Sequence, residues 1–286
     1  MKKNLVLLFL MFSVPLFAYD WPIANFTDKS NISDNFGQNR GNVINNSIIF
    51  AEPEEIRATE DGYILYYNTE ENDETDLFES TLGNSLIISH PDNLISVYGN
   101  LDKESLSNSI YCKNRLKKND KISDTGSSGW HKENETLEFQ IIDIQNSISI
   151  NPKVLLPRTS KEKDLPTYSL MIENKNGDLH ELRNVKTFQS GLYKIYQKRY
   201  TIPAPYKSSV SLNGIIVDEI LYDTIKNENN RNFVSGKKKY TSTDIYKDDL
   251  QLLGEVMLTP GKSTISINIE NFAGKNAAAN YQVTIY

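Results

Sequence analysis

From Ser47 to the C-terminus the apolar residues fall in short runs. These are rich in β-branched and aromatic side chains and are cut by Gly, Pro, Asn and Asp. No segment carries a helical period long enough to compete, so the chain can bury its apolar surface only by building sheets. Ser47–Phe50, Glu55–Ala58, Tyr63–Tyr67, Ser85–Ser89, Leu94–Tyr98, Leu137–Ile142 and Ser147–Ile150 read as strands, with one short helix over Asp102–Tyr111. A second set covers Tyr168–Glu173, Leu192–Gln197, Tyr206–Leu212, Ile215–Leu221, Leu250–Leu258, Thr264–Asn271 and Tyr281–Tyr286. Between the sets, residues 158–166 are charged and flanked by proline, as linkers are. The expected class is all-β: a sheet domain over 48–157 after an irregular segment at 19–47, then a β-sandwich over 167–286.

The net charge of −6 and the mixed sign pattern give no footprint for nucleic acid. The lysine clusters at Lys161–Lys163 and Lys237–Lys239 read as solvated loops. So does the acidic run Glu70–Glu79, which lacks the glycine and ligand alternation of a calcium-binding loop. Residues 1–18 have the form of a secretory signal: Lys2 and Lys3, an apolar Leu5–Phe17, and Ala18 before the cut. An uncleaved anchor is the alternative. Cleavage would leave a protein without a transmembrane span, exported to the periplasm or cell envelope. With Cys112 as the lone cysteine there is no internal disulfide, and beside Tyr111 it reads as a small buried apolar residue.

Four landmarks occur in order. Pro53-Glu54-Glu55-Ile56-Arg57-Ala58-Thr59-Glu60-Asp61-Gly62-Tyr63-Ile64 leads. Gly83-Asn84-Ser85-Leu86-Ile87-Ile88-Ser89-His90 and Ser96-Val97-Tyr98-Gly99-Asn100-Leu101 follow. Lys121-Ile122-Ser123-Asp124-Thr125-Gly126-Ser127-Ser128-Gly129 closes the series, with Asn151-Pro152 after it. Together they resemble the LytM/lysostaphin-type peptidoglycan metalloendopeptidases, metallopeptidase family twenty-three, whose fold is the duplicated hybrid motif. The tail, Leu258–Ile267 and Asn271–Asn276, resembles the final hairpin of immunoglobulin-like bacterial modules. The resemblance therefore implies a duplicated-hybrid-motif β-sheet domain followed by an immunoglobulin-like β-sandwich.

It also implies a zinc site of three protein ligands and one open position. The family takes its ligands from an early H-x-x-x-D and from the second His of H-x-H. The first His of H-x-H and that of Y-x-H-L assist the reaction. Carried over, those positions fall on Val43, Ser47, Glu138, Thr136 and Asn100. Asn45 or Asn46 takes the place of Val43 if the alignment shifts. Only Glu138 keeps ligand chemistry, so the resemblance implies a degenerate member with no metal. The five positions should converge on one side of a sheet groove, with Tyr98, Trp130, His131 and His90 as further groove candidates.

Neither a nucleophile elbow nor a phosphate loop is present at Gly126-Ser127-Ser128-Gly129, which lacks the strand–turn–helix frame. Three functions remain. The first is a non-catalytic domain that binds peptidoglycan or regulates a cell-wall hydrolase. The second is an active zinc endopeptidase with a relocated site, Glu138 with His90 or His131. The third is a structural or adhesion module.

Overall fold

The computed structural model describes residues 19–24, 26, 32–51, 55–69, 80–110, 112–131, 134–158, 162, 165, 167–199 and 205–286. The signal sequence, the acidic loop, Pro53-Glu54, most of the proposed linker and of the Lys161–Lys163 cluster, and the side chain of His131 lie outside them.

The alternation read from the sequence becomes an antiparallel sheet. Leu137–Asp143 is its central strand. It pairs with Leu94–Gly99 on one side and with Ile48–Phe50 and Ile148–Ile150 on the other. Ser85–Ser89 and then Gly62–Asn68 extend the sheet beyond Leu94–Gly99. Period two divides the faces. Leu86, Tyr98, Leu137, Phe139 and Ile48 enter the core, while Glu138 and Gln140 point the other way on the central strand. The helix Lys103–Ile110 is capped by Asp102, whose carboxylate accepts from the Ser105 amide at 2.8 Å, and it buries Leu106 and Ile110.

Residues 19–47 are not the irregular segment expected. They contain the strands Ile32–Asp34, Asn39–Arg40 and Val43–Ile44, and bury Tyr19, Ile23, Phe36 and Ile44 in the core of the first domain. Their many Asn and Ser residues obscured a sparse apolar set. Cys112 is exposed, not buried. It takes a left-handed conformation (φ 59°) just after the helix, a position that closes a helix rather than extending a strand.

The second region forms two sheets facing each other across a core. One is the five-stranded sheet containing Leu170–Glu173, Gly191–Lys198 and Leu250–Leu258. The other contains Lys207–Leu212, Ile215–Glu228, Gly261–Glu270 and Asn276–Ile285. Ile172, Ile195, Val256, Val210, Ile267 and Val283 meet between them.

The two regions share one sheet. Ile148–Ile150 pairs with the long strand Ile215–Glu228, through Ile148↔Lys226 and Ile150↔Thr224. Asn151 reinforces the joint: its amide N donates to the Asp223 carbonyl at 2.7 Å and its side chain donates to that of Tyr222 at 2.9 Å. Tyr196, Ile220, Tyr222 and Val234 belong to the same apolar cluster as the first domain's core.

Tyrosines fill much of this interior. Burial raises the phenols of Tyr98, Tyr222 and Tyr240 above their ordinary value. Hydrogen bonds from Ser96 and Thr59 partly oppose this at Tyr98, as one with Gln251 does at Tyr222, and contact with Asp218 adds to it at Tyr240. A folded value above the unfolded one makes a contribution to stability that is complete below about pH 10 and is lost as the pH climbs from there. Alkaline titration should therefore show a steep rise in tyrosinate absorbance coincident with the loss of near-UV circular dichroism. Full ionisation of every tyrosine with the fold intact would refute this.

Candidate functional site

Asn100 ends the Leu94–Gly99 strand in a left-handed conformation (φ 62°), which Asn tolerates better than most residues. Its backbone N donates to the Leu82 carbonyl at 2.6 Å. Its side-chain N donates to Thr136, at 2.7 Å to Oγ1 and 2.9 Å to the carbonyl. Its Oδ1 accepts from the Ser128 amide. Gly126 lies alongside because a Cβ there would come within 2.4 Å of the Leu101 carbonyl. This knot fixes the start of the central strand, and so fixes Glu138.

Glu138 is buried, opposite Gly99 on one side and Ile49 on the other. Arg40 donates from Nη1 to both carboxylate oxygens at 3.1 Å, and Gln140 Nε2 lies 3.4 Å from one of them. The arginine side chain is 30% exposed and the carboxylate's 7%. Arg40 reaches this place on a tight hairpin, Asn39–Arg40 paired with Val43–Ile44, whose turn residues Gly41 and Asn42 both have positive φ (58° and 68°). That is the arrangement a two-residue hairpin loop favours.

The sequence-derived positions are thus distributed as follows. Asn100 and Thr136 touch, and Glu138 follows on the same strand. Val43 is directly across the hairpin from Arg40 but is 53% exposed. Ser47 is buried, and its hydroxyl donates to Asn45 Oδ1 at 2.7 Å. Asn45 is spent on backbone, donating to the Asn35 and Ser47 carbonyls at 3.0 and 2.9 Å. Asn46 donates to Ser149 at 3.2 Å. Trp130 is 73% exposed on the short turn Gly129–His131, just past Ser128.

Two groove candidates are placed elsewhere. Tyr98 faces the core, its hydroxyl bonded to the Thr59 amide at 3.0 Å. His90 is buried at the far end of the neighbouring strand, on the core side. Its Nδ1 lies 2.9 Å from the Asp61 carbonyl and its Nε2 lies 2.8 Å from Ser96 Oγ. Both residues were assigned by motif position alone, and strand parity sends Tyr98 and Ser96 to the face opposite Glu138. The sequence reading missed Arg40. The Gly41-Asn42 dipeptide is a hairpin signal that could have placed it opposite Val43.

Residues 44–152 match the family model of peptidase family M23. The first domain is an M23 domain. A second family model matches residues 166–286. Among solved structures, the chain is similar to a mutant catalytic domain of the prophage-encoded M23 protein EnpA from Enterococcus faecalis. The identity is 21%, with 46% of this chain and 95% of that one covered and a TM-score of 0.35. It is also similar to a chain of the SpoIIIAH–SpoIIQ complex, at 15% identity, 47% and 96% coverage and a TM-score of 0.37. A zinc-containing peptidase from Vibrio cholerae gives 21%, 52% and 41%, with a TM-score of 0.33. No curated protein matches in sequence.

The M23 family ordinarily binds zinc, and the donor set here does not fit it. Val43 has no donor atom, and the Asn100 amide and Thr136 hydroxyl are bonded to each other. Glu138, the one carboxylate, already holds a cation, Arg40. Among the described residues no group of three or more His, Cys, Asp or Glu is placed to hold a metal.

Replacing Asn100 by Ala strands the Ser128 amide, removes the bonds to Thr136 and leaves a poor residue for positive φ. It should cost about 3 kcal/mol in urea unfolding. Asn100→Gly should recover about 1 kcal/mol of that, because glycine accepts the backbone conformation. Equal stabilities for the two variants would show that the backbone conformation carries no cost.

Proposed function

We propose that this M23-type domain binds rather than hydrolyses, as an exported protein that engages peptidoglycan or a cell-wall hydrolase at the envelope. The observation that carries this reading is the Arg40–Glu138 pair. The only carboxylate left among the family's site positions is neutralised by a guanidinium from the chain itself. A catalytic zinc requires deprotonated ligands with lone pairs available to the metal and an open position for water. The signal-like residues 1–18 support export. Among the described residues no helix is long and apolar enough to cross a membrane.

The relocated zinc site has no support in the geometry of His90. A carbonyl oxygen faces its Nδ1 and a serine hydroxyl its Nε2, and it sits on the core side of the sheet, away from Glu138.

Two measurements decide between the readings. Protein purified without chelator should contain well under one zinc per chain by elemental analysis. Incubation with purified peptidoglycan, with and without added zinc, should release no peptides while sedimentation detects binding. One tightly held zinc, or chelator-sensitive peptide release, would overturn the proposal.

A further inference from the structure

The hairpin that carries Arg40 is gripped from the second domain. The Tyr246 hydroxyl donates to the Gly37 carbonyl. Ser242 Oγ donates to Asn39 Oδ1 at 3.1 Å, and Asn232 Nδ2 donates to the Ile44 carbonyl at 2.9 Å. These contacts bracket Arg40 on both strands of its hairpin.

The gripping residues are themselves fixed. Ser242 opens a one-turn helix, Ser242–Ile245, that is closed by a reciprocal capping box between Thr241 and Asp244. The Arg199 guanidinium lies 5.3 Å from the centre of the Tyr246 ring. Asn227 donates to Asn232 Oδ1 at 2.9 Å, which orients the amide toward Ile44. At the other end of the hairpin the amides of Gly37 and Asn45 are bonded within the segment, to the Asn45 carbonyl at 2.7 Å and the Gln38 carbonyl at 2.8 Å.

We propose that the second domain is a latch on the M23 groove: Ser242, Tyr246 and Asn232 hold the Asn39–Ile44 hairpin across Glu138, with Arg40 as the bolt. A ligand that takes Arg40's place on Glu138 by lifting the hairpin breaks these bonds to the second domain. Coupling of this kind is reciprocal. A ligand of the groove weakens the latch, and a change in the sandwich that frees Tyr246 or Ser242 opens the groove. The proposal rests on the reading that this end of the sheet is the site, but it does not depend on whether the site is catalytic.

Hydrogen exchange of the full chain, resolved by mass spectrometry, tests it. Loss of one such hydrogen bond should raise opening about five-fold. Tyr246→Phe and Ser242→Ala should each therefore speed exchange over residues 37–45 by about that factor, and the double variant by more. The strands Leu137–Asp143 and Leu250–Leu258 should keep their wild-type rates. Glu138→Gln should loosen the same hairpin from the groove side. Asn232→Ala supplies the same readout if either of the first two variants fails to fold. Unchanged exchange at 37–45 in the folded variants, or an equal rise in every strand, would overturn the latch. A bound zinc would sink the preceding reading and leave this result standing.

Discussion

Three chain segments meet on Asn100, and the candidate site exists only where they meet. The residue leaves its strand with φ at 62°. It draws in residue 82 through its backbone, Ser128 through its oxygen and Thr136 through its nitrogen. A buried amide of this kind is stabilising only when fully bonded, since each unmet partner costs the desolvation it has already undergone. The same network that satisfies Asn100 therefore sets the register of the central strand at its first residues. Glu138, two residues beyond Thr136, inherits its position from that bond.

The second constraint is the continuous sheet. A strand pair such as Ile148–Ile150 with residues 224–226 leaves no backbone edge between the two regions. The buried tyrosines of the second region complete the apolar cluster of the first. Neither region is a bead on a string. Contacts between domains are ordinarily more polar and looser, and here polar ones fall both at the sheet joint, through Asn151, and on the hairpin that faces Glu138. The joint thus has two parts, one along the shared sheet and one at the candidate site.

Much of this was legible in the sequence. Most strand runs are found close to where alternation put them, with Leu250–Leu258 matching at both ends, but Ile215–Leu221 runs on to Glu228 and Tyr281–Tyr286 begins at Asn276. The M23 resemblance rests on residues whose structural roles are now visible. Asn84 bonds Ser128 and Leu101, Tyr98 fills the core, and Gly126 leaves room for Leu101. What escaped depends on pairing at long range. Nothing near Arg40 in sequence names Glu138, which lies 98 residues away. Nothing in Tyr246 names Gly37. His90 and Tyr98 were misplaced because a motif gives order along the chain, whereas strand parity and the hydrogen bonds of each side chain decide which face it serves. Residues 19–47 escaped because their few apolar positions are separated by polar ones that bond the backbone.

The pairing at Glu138 also bears on how the scaffold meets the charge of this one residue. A carboxylate buried beneath a sheet strand is costly unless a cation meets it. In a metal site that cation is exchangeable and must be recruited. Here it is covalently part of the chain and arrives with the hairpin. A guanidinium presents its donors in a planar fork, and with both carboxylate oxygens bonded to it Glu138 keeps its place. Removing the arginine would take from the carboxylate the guanidinium that bonds both its oxygens. Supplying a competing cation would have to outdo both the ion pair and the bonds that Ser242, Tyr246 and Asn232 make to the hairpin. The electrostatic need of one buried residue is thereby met by a hairpin that the second domain also holds, which joins that domain to the candidate site as well as along the shared sheet.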